Sequence, residues 1–358
     1  MKRARAIDFL NSIIGEERLD GILITDLANV RYLSGFSGSE GTLLFAKKGR
    51  WFFSDFRYRE QSRQEIAGFT IKIFKNKFKE IPELIKKLRM KKLGFEPAGL
   101  SHNIYRAYQK QLKGVSLKPL KKSLLETRAL KDRDELEWIS KAAQTAEAGL
   151  DRALKVFRAG ISELDFAAEL EYQLRKAGSG WFSFPSIVAA GPRAALPHAE
   201  ASSRKIKKGE LVVIDFGATC NGYASDLTVT VAAGEPGKKA REVYQVVSEA
   251  QKRAIAGIRE GIACMEIDSL ARDYINSRGF GKYFGHGLGH GLGLMVHEEP
   301  SINSKSKTVI KPGMAFTIEP GIYLPGRLGV RIEDDLILNH KKNVVLLSAS
   351  NQPLRIFE

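Results

Sequence analysis

Three of the six histidines in this 358-residue chain lie in one short stretch, GHGLGHGLGLMVHE (285–298). They are His286, His290 and His297, and imidazole side chains bind metals and act as general acids or bases. The stretch contains no G-x-G-x-x-G dinucleotide-binding loop. It is not an HExxH zinc helix either, because Gly287 stands at the glutamate position. A different kind of reactive site is therefore expected here.

The glycines of this stretch predict its backbone. Five glycines in GHGLGHGLG disfavour a helix, because each costs about 1 kcal/mol relative to alanine. As a strand, the segment would place His286, Leu288, His290 and Leu292 on one side and the glycines on the other. The glycine side would let another backbone or a substrate approach closely.

A predicted hairpin contributes two carboxylates, Asp215 and Asp226. In ELVVIDFGATCNGYASDLTVTVA (210–232), Asn221-Gly222 is a strong signal for a two-residue turn between two apolar strands. That turn pairs Asp215 with Thr228 and makes Asp226 a diagonal neighbour of Asp215 on the same face. If the centre of the turn were shifted by half a residue, Asp215 would instead lie opposite Asp226. Two like charges in an apolar hairpin are destabilising without a cation between them. Either both carboxylates lie at a solvent-exposed edge, or they bind a metal.

Two later β-rich segments supply further acidic residues. MAFTIEPGIYLP predicts a strand that stops at Pro-Gly, with Glu319 at its end. In GVRIEDDLIL, alternation places Arg331 and Glu333 on one face and the apolar side chains on the other. Asp334 and Asp335 are interpreted as a polar strand end.

Together these acidic residues have the composition of a two-metal site. Two divalent cations would balance the four negative charges, and His290 would be a neutral fifth ligand; the carboxylates are Asp215, Asp226, Glu319 and Glu333. Oxygen-rich ligands with one imidazole favour Mn, Co, Fe or Zn over a structural zinc, which prefers thiolates. Two such ions about 3.5–4 Å apart can hold a hydroxide and stabilise a tetrahedral oxyanion. The sequence therefore predicts hydrolytic chemistry.

These residues and their order resemble a known family, the pita-bread metallopeptidases. Within that family, the chain is similar to the proline peptidases, namely Xaa-Pro aminopeptidase (aminopeptidase P) and Xaa-Pro dipeptidase (prolidase). The matching segments are LPHAEAS (196–202), VIDFGATCNGYASDLT (213–228), GHGLGHGLGLMVHE (285–298), TIEPGIY (317–323) and GVRIEDD (329–335). TDLANVRYLSGFSGSEG (25–41) and SDFRYREQ (54–61) are similar to the creatinase-type N-terminal domain. The resemblance covers nearly the whole chain.

The resemblance implies a role for each matching side chain. The implied ligands of the two metal ions are Asp215, Asp226, His290, Glu319 and Glu333, with Asp226 and Glu333 as bridges. His297 and His198 would contact the substrate, and Arg331 would orient the neighbouring bridging glutamate. Mn²⁺ is the implied metal, with Co²⁺ or Zn²⁺ also accepted. His286 has no implied ligand role.

The resemblance also implies the domain organisation. An α/β N-terminal domain (1–125) would precede an α+β pita-bread catalytic domain (126–358) built on a curved antiparallel sheet. The charge supports a boundary near residue 125, because residues 1–125 carry 26 Lys and Arg against 12 Asp and Glu, whereas residues 126–358 carry 31 against 29. The predicted strands of the first part are 21–25, 42–47, 51–54 and 69–74, and its helices are 5–14, 58–66, 79–90 and 103–112. The helices predicted further on are 134–157, one starting at Ser162, 238–258 and 266–278.

The expected activity is hydrolysis of the bond between an N-terminal residue and a following proline, by a hydroxide that bridges the metals. Glu299-Pro300-Ser301 lacks the arginine by which some prolidases hold a dipeptide carboxylate. This favours longer Xaa-Pro-Yaa substrates, and strict dipeptidase activity is the alternative. A second alternative is a non-catalytic pita-bread module that binds a partner through the basic N-terminal part.

The remaining expectations concern location and partners. Cys220 and Cys264 are the only cysteines, so no disulfide framework is expected and a reducing cytoplasm fits. No apolar run approaches the length of a membrane span, and the basic N-terminus predicts a first helix. The expected partners are peptides with proline at the second position and a second copy of the chain, a homodimer. Nucleic acid binding is not expected, because a solvated basic face explains the N-terminal charge.

Overall fold

The computed structural model describes residues 2–349 and 353–358, with side chains from residue 5 onward. The chain divides into two units, Met1–Thr127 and Arg128–Glu358. The helices are α1 (Lys2–Glu16), α2 (Leu27–Ser34), α3 (Arg59–Glu65), α4 (Lys77–Lys87), α5 (His102–Gln111), α6 (Leu125–Arg128), α7 (Arg133–Ala153), α8 (Glu163–Lys176), α9 (Lys238–Gly257) and α10 (Cys264–Ser277). Short 3-10 helices occur at Phe56–Tyr58, Leu154–Val156, Gly191–Ala195 and Gly281–Tyr283.

The strands of the first unit are β1 (Gly21–Ile24), β2 (Thr42–Ala46), β3 (Gly49–Ser54), β4 (Thr70–Ile73), β5 (Lys92–Phe95) and β6 (Ser116–Pro119). Those of the second unit are β7 (Ile187–Ala190), β8 (Glu210–Phe216), β9 (Thr219–Cys220), β10 (Tyr223–Ala224), β11 (Leu227–Ala233), β12 (Gly289–Gly291), β13 (Glu298–Ile302), β14 (Met314–Ile318), β15 (Gly321–Leu324), β16 (Leu328–Arg331), β17 (Asp334–Leu338), β18 (Val344–Leu346) and β19 (Ile356–Phe357).

The first unit contains a mixed six-stranded sheet in the order β4-β3-β2-β1-β5-β6. β1, β2 and β3 are antiparallel, and β4, β5 and β6 join in parallel. Each strand and helix predicted for this part has an observed counterpart, so the α/β prediction is confirmed. The structure adds α2, β5 and β6, which are too short for their periodicity to be recognised in the sequence.

The second unit contains two larger antiparallel sheets, each backed by a pair of helices. α7 and α8 pack on a four-stranded sheet, β19-β11-β8-β7, in which only the β19 pairing is parallel. α9 and α10 pack in one apolar cluster with residues of β13, β14, β15, β16 and β17. An antiparallel bridge between Thr228 and Glu333 connects β11 with the segment that leads into β17 of the five-stranded sheet β13-β12-β14-β17-β18. This bridge brings the acidic segments of the two sheets together.

Two further features concern the cysteines and the length of the helices. Cys220 and Cys264 are buried, as small apolar side chains would be. Among the described helices, none combines the length and the apolar character that crossing a membrane requires.

Candidate active site

A cavity of about 810 Å³ lies in the second unit. Its lining includes all eight of the predicted site residues: His198, Asp215, Asp226, His290, His297, Glu319, Arg331 and Glu333. The cavity wall also includes the apolar side chains of Phe184, Ile187 and Tyr283. A cavity of this size falls within the range of about 300–1,000 Å³ that is typical of ligand sites.

The β8–β11 hairpin positions the first two carboxylates. Asn221 and Gly222 have φ values of 48° and 77°, and Cys220 pairs with Tyr223, so a two-residue turn closes the hairpin. The register places Asp215 opposite Thr228, which is the first of the two registers considered. Asp226 directly precedes β11 and is buried, as is Asp215. The solvent-edge interpretation of this pair is therefore wrong.

The short strand β12 positions His290. A Cβ atom at Gly289 would lie 2.0 Å from the carbonyl oxygen of Thr317, so the neighbouring strand β14 can approach this closely only beside a glycine. His290 Nε2 lies 3.4 Å from Asp226 Oδ2 and 3.5 Å from Glu319 Oε1. The glycine-rich segment thus brings one imidazole to the carboxylates.

The predicted strand through the whole glycine-rich segment is wrong, because only Gly289–Gly291 is a strand. Leu288 and Leu292 are buried in two separate apolar clusters, whereas His286 and His290 line the cavity. A shift of register between β12 and β13 interrupts the regular alternation of side chains.

The side-chain atoms that could bind a metal ion form three overlapping groups, in each of which they lie within 4.8 Å of one another. The groups are Asp215, Asp226 and Glu333; His290, Glu319 and Glu333; and Asp226, His290 and His297. Burial, followed by repulsion from neighbouring carboxylates, raises the pKa of Asp226 and Glu319 well above the ordinary range and that of Glu333 to about 7. Asp215 Oδ1 and Glu333 Oε1 are buried without a hydrogen-bond partner among the described residues. Divalent cations would satisfy these oxygens and neutralise the charge, so the side chains fit a metal centre.

Arg331 organises the carboxylates from one side. Its guanidinium is buried and forms an ion pair with Asp215, while its Nε donates to Thr228 Oγ1 at 3.1 Å. Thr228 in turn donates to Glu333 Oε2 at 2.6 Å, so Arg331 reaches Glu333 through this hydroxyl. Arg331 Nη1 also donates to the hydroxyl of Tyr323 at 2.9 Å. Thr228 and Tyr323 were not predicted as site residues, although Thr228 was expected opposite Asp215 and Tyr323 ends the TIEPGIY motif.

The two histidines predicted to contact the substrate lie at the more open part of the cavity. His198 is exposed and follows Pro197, whose carbonyl oxygen accepts a hydrogen bond from Arg331 Nη1 at 3.1 Å. The ring of His297 lies 4.3 Å from that of His290, centroid to centroid. Partial burial of the ring, together with the neighbouring His290, lowers the pKa of His297, which favours its neutral imidazole.

His286 also lines the cavity but is held by neighbouring groups. Its Nε2 lies 3.0 Å from the hydroxyl of Tyr323, and its ring packs edge-on against Phe284. Burial lowers the pKa of His286 to about 4. It belongs to none of the three ligand groups.

The interpretation of Asp334 and Asp335 as a polar strand end is wrong, because both are fully buried. Asp335 accepts a hydrogen bond from the backbone N–H of Asp226 at 3.1 Å. Asp334 accepts from Ser348 Oγ at 2.7 Å and from Gln251 Nε2 at 3.0 Å. Their hydrogen bonds come from distant parts of the chain, so local alternation could not reveal their burial.

Comparisons with known proteins agree with this geometry. Residues 137–340 match the model of metallopeptidase family M24, and residues 7–130 match that of the Creatinase/Prolidase N-terminal domain. The chain belongs to metallopeptidase family M24. The predicted fold, an α/β N-terminal domain followed by an α+β pita-bread domain, is confirmed.

Individual M24 relatives cover almost the whole chain. Peptidase YqhT of Bacillus subtilis is 39% identical over 338 residues, which cover 94% of this chain and 96% of that protein. The solved structure of an Xaa-Pro dipeptidase from Bacillus anthracis is 41% identical, with a TM-score of 0.94 and coverage of 99% of both chains. An X-Pro aminopeptidase from Thermotoga maritima is 34% identical, with a TM-score of 0.88 and coverage of 99% of both chains.

Proposed function

We propose that this chain is a metal-dependent exopeptidase that cleaves between an N-terminal residue and a following proline, with peptides of the form Xaa-Pro-Yaa as substrates. The main observation is the gathering of four carboxylates and His290 in one cavity, where two buried carboxylate oxygens lack a hydrogen-bond partner among the described residues. The named functions of the Bacillus anthracis and Thermotoga maritima relatives support proline at the second position.

The five proposed ligands suit two divalent cations, with Mn²⁺ the expected metal. Asp226 and Glu333 each belong to two of the ligand groups, and a carboxylate can offer one oxygen to each of two ions. The imidazole of His290 presents a single nitrogen toward the carboxylates, so it would bind one ion. We therefore assign the bridging role to Asp226 and Glu333. Divalent cations held there would polarise the scissile carbonyl group and lower the pKa of water, which provides the nucleophile.

The chain's own residues would then bind and orient the peptide. The neutral imidazole of His297 can donate a hydrogen bond to the scissile carbonyl oxygen, where negative charge develops in the transition state. His198 lies on the cavity wall as a second donor. Arg331 and Thr228 keep Asp215 and Glu333 in place through the ion pair and the hydrogen bonds described above. The free N-terminal amine of the peptide would lie near Asp226 and the metal ions, which would account for cleavage at the first peptide bond.

Strict dipeptidase activity is a second candidate, favoured by Lys282. Lys282 lines the cavity, where its Nζ lies 5.0 Å from the centroid of the Tyr283 ring. The other permanently charged basic residue of the lining, Arg331, already forms an ion pair with Asp215. Lys282 could therefore receive the free carboxylate of an Xaa-Pro dipeptide, a role for which Glu299-Pro300-Ser301 provides no arginine.

The test compares three peptides under matched conditions. Chelated protein is assayed with Gly-Pro-Ala, Gly-Pro and Gly-Ala-Ala, before and after addition of Mn²⁺, by chromatography of the released glycine. We expect Mn²⁺ to restore cleavage of Gly-Pro-Ala and not of Gly-Ala-Ala. Preference for Gly-Pro would select the dipeptidase, and equal cleavage of Gly-Ala-Ala would contradict the requirement for proline.

A further inference from the structure

A buried group of charges that the proposed reaction does not use lies beside the loop that ends at His297. Arg128 and Lys131 are 2% and 1% exposed, and both interact with the carboxylate of Glu298, whose side chain is 1% exposed. Lys131 Nζ lies 3.4 Å from Glu298 Oε2, and Arg128 forms the closer contact, with Oε1. Glu135, which is also buried, accepts a hydrogen bond from the hydroxyl of Tyr223 at 3.0 Å. Two cations and two carboxylates therefore balance within the protein interior.

Ion pairs of this kind are costly to bury, so their presence needs a structural reason. Burial alone would raise the pKa of Glu298, but Lys131 and Arg128 outweigh that effect and hold its pKa below the ordinary value. Glu298 is therefore ionised and held on both oxygens. A carboxylate fixed in this way is a rigid anchor for any backbone that contacts it.

The backbone that contacts Glu298 is the loop of residues 293–297. Glu298 Oε1 accepts a hydrogen bond from the backbone N–H of Met295 at 3.0 Å. A Cβ atom at Gly293 would lie 2.5 Å from each of the two carboxylate oxygens, so the loop lies directly against them. The carbonyl oxygen of Gly293 also accepts from Ala224 N–H at 2.8 Å, which ties the start of the loop to β10.

The loop leads directly to His297, which is exposed and immediately precedes Glu298. Across the strand pair, Glu298 is opposite Gly291, the residue after His290. We propose that Glu298, clamped by Arg128 and Lys131, is a positioning residue that holds the loop 293–297 so that His297 faces the peptide in the cavity. This inference rests on the proposed function, because it assigns Glu298 an effect on catalysis through His297.

Two variants disturb the contact between Glu298 and the loop 293–297 in different ways, and they are called the clamp variants below. Glu298→Gln removes the charge that Arg128 and Lys131 hold. Gly293→Ala keeps every charge and pushes the loop away from the carboxylate, so it remains informative if Glu298→Gln fails to fold. Glu135→Gln is the matched control, since it removes a carboxylate from the same buried group but not the one that the loop contacts.

The first readout is a double-mutant cycle with His297→Ala, using Gly-Pro-Ala and saturating Mn²⁺. We expect His297→Ala to lower kcat/KM by about 100-fold, as loss of one transition-state hydrogen bond does. Gly293→Ala and Glu298→Gln should each lower kcat/KM by about 10-fold or more, and neither should cost more than about twofold when combined with His297→Ala. Losses that multiply, or full activity in a folded variant, would overturn the inference. Glu135→Gln should stay within about threefold of the wild type.

The second readout does not depend on activity. In protein labelled with ¹⁵N-histidine, the His297 ring resonances, assigned with His297→Ala, should shift or broaden in Gly293→Ala and Glu298→Gln but not in Glu135→Gln. Unchanged His297 resonances in both clamp variants would overturn the positioning role. Absence of Xaa-Pro cleavage by the wild type would instead contradict the proposed function, and this NMR comparison would still decide whether Glu298 positions His297.

Discussion

Replacement of Thr228 by valine tests how the second layer of the site supports its carboxylates. Valine and threonine share the same β-branched shape, so Thr228→Val removes the hydroxyl of a fully buried side chain without changing its size. Two hydrogen bonds are lost, the one donated to Glu333 Oε2 at 2.6 Å and the one accepted from Arg331 Nε at 3.1 Å. The backbone bridge between residue 228 and Glu333 remains, because it involves only main-chain atoms.

The magnitude follows from the loss of an orienting partner. Removal of a hydrogen-bond partner behind a metal ligand typically lowers metal affinity by about 10–100-fold, which corresponds to about 1.4–2.7 kcal/mol. Hydrogen bonds to charged groups contribute about 1.5–3 kcal/mol, so the two estimates agree. We expect Mn²⁺ binding to chelated Thr228→Val to weaken within this range in isothermal titration calorimetry. At saturating Mn²⁺, kcat on Gly-Pro-Ala should recover to within a few-fold of the wild type, since Thr228 does not face the peptide.

Thr228→Ser is the matched control, because it keeps the hydroxyl and loses only a methyl group. It should bind Mn²⁺ with close to wild-type affinity, although it costs about 1 kcal/mol of folding free energy. Equal Mn²⁺ affinity of wild type and Thr228→Val would refute the reasoning. Equal weakening in Thr228→Ser and Thr228→Val would also refute it, since packing would then be responsible.

Three further predictions concern charge in the cavity. In chelated protein, burial followed by repulsion from Asp215 raises the pKa of Glu333 from 4.5 to about 7, so the folded state retains a proton that the unfolded state loses. The free energy of unfolding should therefore fall by about 3 kcal/mol between pH 4.5 and 7, and Glu333→Gln should remove that part of the dependence in urea titrations. Chelated Asp226→Asn should have a higher Tm than chelated wild type at pH 7, because asparagine avoids both the buried charge and the proton uptake that the raised pKa of Asp226 imposes on folding, and a lower Tm would contradict this reasoning. If Lys282 receives a dipeptide carboxylate, Lys282→Ala should raise KM about 10-fold for Gly-Pro but not for Gly-Pro amide, whereas equal effects would exclude this role.

The sequence was most informative where chemistry and local geometry coincide. Asn221-Gly222 predicted both the turn and the register that places Asp215 opposite Thr228, because a two-residue turn leaves few alternatives. The alternation around Arg331 and Glu333 also held, since both line the cavity while Val330 and Ile332 are buried. The sequence alone therefore assigns residues 213–228 and 329–335 to one site.

The sequence was least informative where distant segments meet. The buried carboxylate of Asp335 accepts a hydrogen bond from the backbone N–H of Asp226, which lies 109 positions away in the sequence. Nothing in the sequence around Asp335 indicates that partner. The prediction of a strand through the whole glycine-rich segment was wrong for a related reason. The register shift beside β12 depends on β13, so a pattern read along one strand could not show that Leu288 and Leu292 enter different cores.

The central claim is that the clustered carboxylates and His290 bind metal ions that are required for cleavage of Xaa-Pro bonds. The most direct measurement titrates chelated protein with Mn²⁺ and follows bound metal per subunit and cleavage of Gly-Pro-Ala in the same samples. We predict no cleavage without metal, activity that rises as the site fills to two ions, and loss of both binding and activity in Asp226→Asn. Cleavage by fully chelated protein, or two bound ions without any cleavage of Gly-Pro-Ala or Gly-Pro, would contradict the claim.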